Sequence, residues 1–145
     1  MKSKAFVAAR VLLGLVFTVF GLNGFLHFYQ APLSGSAAAF FGGLAASGYV
    51  VPLLFATQTL AGVTLLSGRF VPLALTVLAP IIVNILGFHL FLEPASTLGV
   101  PILVAGLELY LAWSYREAFR PLLSARYEPV APVGSEGPRL YARAS

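Results

Sequence analysis

Between Arg69 and Glu93 the chain runs for 23 residues, Phe70 to Leu92, without a formal charge. As an α-helix that run rises about 34 Å, enough to cross a bilayer core of about 30 Å. Pro80, the amide of Asn84 and the imidazole of His89 lie inside it, more polarity than an inert anchor requires. The remaining residues offer little to cover such a helix in water: 59% are hydrophobic and 10% charged, with a mean hydropathy of +0.89. A soluble chain carries about 25% charged residues. The fold class is therefore all-α, a polytopic membrane protein.

Three further apolar runs accompany the first, which gives spans at about 6–28, 50–66, 70–92 and 98–115. The run 6–28 is too long for the h-region of a signal peptide, about 7–15 residues, although small residues at 36–39 would suit a peptidase. It reads as a retained helix. Between the first two spans, SAAAFFGGLAA (36–46) follows serines suited to an N-cap and is too short to cross. It predicts a short interfacial helix. Short connections then predict an antiparallel four-transmembrane-helix bundle over 1–120, followed by a flexible Pro- and Arg-containing tail over 121–145.

The nine Lys and Arg residues stand singly at the ends of apolar runs, a pattern that orients membrane helices and not one that grips nucleic acid. Lys2, Lys4, Arg10, Arg69 and the tail arginines share one side, while the loops 29–49 and 93–97 carry no Lys or Arg. Both termini are expected in the cytoplasm, with Tyr29, Tyr49, Trp113 and Tyr115 forming aromatic belts. The chain has no cysteine, which excludes dithiol exchange and thiolate metal sites within it.

Small residues gather on faces. By wheel arithmetic Gly14, Thr18 and Gly21 share one side of the first span. Thr76, Pro80, Asn84 and Gly87 share one side of the third. Both faces are expected to meet neighbouring helices.

The polar residues inside the spans are the candidate site. Asn23 and His27, at i,i+4 spacing, share a helical face, as do His89 and Glu93, where the carboxylate would fix the imidazole tautomer. With Asn84 they form a candidate ligand or quinone pocket at the outer end, although Asn84 lies about 140° around the helix from His89. Glu108 lies near mid-membrane, where a lone carboxylate needs a partner or a proton. Arg10, about a turn into the first span, is its candidate partner, reaching inward on a long stem. Gln58 is a candidate for hydrogen bonding between helices. Two histidines at interfacial depth are too thin a basis for a haem site, and no metal-ligand spacing is present.

The string Arg69-Phe-Val-Pro-Leu-Ala-Leu, with Leu78-Ala-Pro80-Ile-Ile-Val-Asn84-Ile-Leu-Gly-Phe-His89-Leu-Phe-Leu-Glu-Pro94, resembles the DoxX and DoxX-like membrane family. Similar strings occur at Arg10-Val-Leu-Leu-Gly14 and at Glu108-Leu-Tyr110-Leu-Ala-Trp-Ser-Tyr115-Arg116-Glu-Ala-Phe-Arg120-Pro121, so the resemblance covers about residues 8–122. It implies a four-helix protein of a bacterial or archaeal inner membrane and a small membrane subunit of a quinone-linked oxidoreductase. Where relatives often carry a glutamate in the second span, this chain has Gln58, four residues before Gly62.

Three functional readings stay open at this point. The first is an accessory membrane subunit that meets quinone and a soluble redox enzyme, the latter through Arg116, Arg120 and Arg126 on the cytoplasmic side. The second is a small-molecule permease or binding protein using the outer pocket, with four short spans calling for homo- or hetero-oligomers. The third is a purely structural membrane subunit.

Overall fold

The computed structural model describes residues 3–125. Helix α1 spans Lys4–Leu26 and opens on Ser3, whose hydroxyl accepts from the Phe6 N–H at 3.2 Å. It closes where His27 enters the left-handed region at φ 52° and donates its N–H to the Asn23 carbonyl at 2.8 Å. Helix α2 covers Gly35–Ala46 and α3 covers Val50–Ser67, the latter ended by Gly68 at φ 71°. Only a residue that tolerates positive φ can stop a helix this abruptly and turn the chain back within three residues. Helix α4 is Val71–Phe91, with Pro72 in its first turn where no N–H is needed. A 3-10 turn at Ala95–Thr97 leads to α5, Gly99–Ser114, and then to α6, Arg116–Phe119, and a second 3-10 turn at Pro121–Leu123.

Among the described residues helix is the only regular secondary structure, and there is no strand. Helices α1, α3 and α4 are long and apolar enough to cross a membrane, while α2 and α5 are shorter apolar helices. Each main helix falls within about two residues of its expected bounds. The largest shift is in α1, which starts earlier because Ser3 caps it and stops earlier because His27 turns out of it. Of the expected tail, 126–145 lies outside the described residues.

The most intimate pairing is between α1 and the antiparallel α3. A methyl group built on Gly62 would lie 2.5 Å from both the Thr18 N and Oγ1 and 2.8 Å from the Gly14 carbonyl oxygen. One on Gly21 would run into Thr59, and one on Gly24 into the Phe55 ring. Backbones approach this closely only where side chains are absent, which is why small residues mark helix contacts in membranes. The expected Gly14–Thr18–Gly21 face is therefore a helix interface.

Helices α4 and α5 complete the bundle around Leu13, Phe17, Leu65, Leu75, Leu78, Val104 and Leu111. The outside is as apolar as the inside: Leu60 is 69% exposed, Leu109 71% and Phe91 84%. Large side chains left bare all round suit hydrocarbon and not water.

One expected interface is reversed. Thr76, Pro80 and Asn84 are exposed, and a methyl on Gly87 would meet nothing within 4 Å. Helix α4 instead buries Val71, Ala74, Leu75, Leu78 and Ile82. The wheel groups these residues correctly, but both faces are non-ionic and periodicity alone does not say which one is inside. Interdigitating aliphatic side chains fill the interior better than a notch of Thr, Pro, Asn and Gly.

Candidate functional site

Two polar side chains lie in the core of the described residues, Gln58 and Glu108, each 6% exposed. Glu108 stands on the same face of α5 as Pro101, Val104 and Leu111, all buried. Its Oε2 is fully enclosed and has no hydrogen-bond partner. Gln58 is on the buried side of α3, beside Ala61 and Leu65. Among the described residues no hydrogen bond links Gln58 to Glu108 or to another helix, so the expected interhelical bond is not found there.

The expected ion pair between Arg10 and Glu108 does not form. The Arg10 Nη1 donates to the Leu65 carbonyl at 2.5 Å and the Leu66 carbonyl at 3.3 Å. The guanidinium also lies on Gly68, where a methyl group would come within 2.5 Å of Nη1. The final carbonyls of a helix have no partners within it and carry its partial negative charge. Sitting there satisfies the cation without drawing it deeper among aliphatic side chains. Arg10 is thus a clamp on the C-terminus of α3. Among the described residues the ion pairs are Arg116 and Arg120 with Glu117, at 3.9 and 3.2 Å.

The five outer-pocket candidates are placed apart. The Asn23 side chain is taken up by the chain beyond α1: its Nδ2 donates to the Tyr29 carbonyl and its Oδ1 accepts from the Tyr29 N–H, both at 2.7 Å. His27 is exposed and has left the helix at its left-handed turn, so it does not share a helical face with Asn23. His89 Nδ1 lies 2.8 Å from the Ile85 carbonyl, and the ring stands edge-on to Phe88. A carbonyl only accepts, so Nδ1 is the donating nitrogen of this contact. Glu93 is half-buried beyond the end of α4 and makes no ion pair with His89. Asn84 donates to the Pro80 carbonyl at 2.9 Å on the exposed side of α4.

Two recesses on the bundle, among the described residues, include none of those five. One of about 300 Å³ is lined by Ser3, Phe6, Tyr110, Ser114 and Tyr115. The other, about 240 Å³, runs between α3 and α4 and includes Thr57, Thr64, Leu73 and Val77. No cluster of three metal-ligating side chains occurs among the described residues.

The Arg10 clamp and the Asn23–Tyr29 clasp escape a reading based on charges and side-chain pairs, because in each the partner is backbone. The signals were the helix end at Ser67-Gly68 and the asparagine placed one turn before a helix stop. Comparison with protein-family models, curated proteins and solved structures finds no match.

Proposed function

We propose that this protein is a small integral membrane subunit of a quinone-linked redox system, with Glu108 as a group that takes up and gives back a proton inside the bundle. The observation that carries the reading is the enclosed carboxyl, which has no hydrogen-bond or ion-pair partner among the described residues. Ionisable groups within a membrane are costly to keep and mark proton and substrate paths by default. A carboxyl serving only as structural glue would be expected to have its polar neighbour; here Arg10 is engaged elsewhere. The likeness of Arg69–Pro94 to the DoxX family supports the same class of partner.

In this reading α5, 16 residues and about 24 Å long, is a fourth and short span, and α2 lies in the interface. Both termini face the cytoplasm of a bacterial or archaeal inner membrane. Arg116 and Arg120, with Arg126 beyond the described residues, face a soluble redox enzyme. The permease reading has less support, because Asn23, Asn84 and His89 spend hydrogen bonds on their own backbone neighbourhood.

The test is purification from native membranes in mild detergent, with mass spectrometry of what accompanies the protein. The expected result is a stoichiometric oxidoreductase or bound quinone, whose quinone-linked turnover falls about 100-fold in Glu108→Gln while folded yield holds. A bundle that carries neither partner nor quinone overturns the redox reading.

A further inference from the structure

Helix α4 presents to its surroundings a face that hydrocarbon does not satisfy. Asn84 lies about 4–5 Å along the axis from the middle of α4, deep in the span. It is exposed, and its one recorded bond, to the Pro80 carbonyl, uses a single N–H. Its second N–H and its Oδ1 have no partner among the described residues. One turn before Pro80, the Thr76 carbonyl lacks the donor it would normally receive, because proline has no N–H. Helix α2 reaches α4 through Phe40 against Phe88, ring centroids 6.0 Å apart, and leaves Asn84 uncovered. A polar group left unsatisfied in hydrocarbon is costly. This cost would be removed by an occupant that lies close and brings an amide to the same depth.

We propose that this face of α4, centred on Thr76, Pro80, Asn84 and Gly87, is the interface with a second copy of the same chain. All copies insert in the same sense, so a two-fold axis along the membrane normal sets α4 beside α4 in parallel. Every residue then meets its own copy at the same depth. A carboxamide both donates and accepts, so one asparagine per chain supplies both halves of the contact. Any other partner would have to carry a matching polar group at that depth independently. Close approach is open as well: a methyl on Gly87 would meet nothing within 4 Å, and Thr76 and Pro80 are short.

The chain has no cysteine, so each introduced thiol reports alone. Single variants Thr76→Cys and Gly87→Cys, with Leu60→Cys and Leu109→Cys as exposed controls on α3 and α5, are oxidised in lipid bilayers. The expected result is disulfide-linked dimer at the α4 positions and background at the controls. In parallel, self-association of the full chain is followed by energy transfer over a series of protein-to-lipid ratios. Asn84→Leu is expected to weaken it roughly five- to thirtyfold, the worth of an interhelical amide contact in membranes, and Asn84→Gln to retain it. Equal cross-linking on all faces, or an Asn84→Leu protein that associates as well as the parent, overturns the proposal.

Discussion

Replacing Gly62 by alanine puts a methyl group in place of a hydrogen at the closest approach of α1 and α3. The new carbon would sit 2.5 Å from the Thr18 N and Oγ1, where ordinary van der Waals contact begins at 3.4 Å. The obstruction includes backbone of α1, which cannot swing aside like the end of a side chain. The two helices must therefore part locally by about 0.9 Å, the difference of those two distances. A gap of about 0.5–1 Å forfeits a quarter to a half of each atom pair's attraction, and overpacking of this kind costs about 1–3 kcal/mol. Against it stands a gain of at most about 1 kcal/mol, because alanine holds a helix better than glycine. The control is Gly106→Ala on α5, where the same methyl meets nothing within 4 Å. Reversible unfolding in mixed micelles, followed by circular dichroism, should place Gly62→Ala about 1–2 kcal/mol below the parent and Gly106→Ala level with it or slightly above. Equal stability of the two variants would show that α1 and α3 do not meet through Gly62.

Two further substitutions address side chains bonded to backbone. Arg10→Ala leaves the Leu65 and Leu66 carbonyls without their cationic donor and should lose about 2–3 kcal/mol in the same unfolding experiment. Arg10→Lys should recover part of it, and an Arg10→Ala protein as stable as the parent would refute the clamp. Asn23→Ala removes both bonds that hold Tyr29. The amide of Tyr29 should exchange with solvent faster while global stability falls by no more than about 1–2 kcal/mol, and unchanged protection there would contradict the clasp.

The all-helical class and the three long apolar helices were legible because a bilayer imposes lengths. A span must be long and largely uncharged, and the runs ending near Ser67 and Phe91 are bounded by Gly68-Arg69 and Glu93-Pro94, which say where each one stops. The Gly14–Thr18–Gly21 face was legible for a related reason: the absence of side chains is a signal in itself. The corresponding face of α4 was assigned inward and lies outward. In a soluble protein the polar side of a helix declares the solvent, but in hydrocarbon the apolar residues are at home on both sides and the wheel loses its sign. The depth of Glu108 along its run was legible, but its place on the buried face of α5 was not. Nor was the choice made by Arg10, because the competing acceptor was the end of a helix and has no letter in the sequence. Asn23 and His27 went apart because a left-handed residue at 27 ends the periodicity that i,i+4 spacing assumes.

The pairing of α1 with α3 also has a history in time. Arg10 and the carbonyl of Leu66 are 56 residues apart in the chain, so when α1 leaves the ribosome its partner has not been made. At about 5–20 residues per second the wait is about 3–11 s. Over that interval the first helix holds an uncompensated guanidinium, and its glycine face has nothing against it. Either the insertion machinery shelters α1 until α3 arrives, or the arginine waits at the headgroups and is drawn onto α3 as the hairpin with α4 closes. Birth order, in this protein, differs from assembly order.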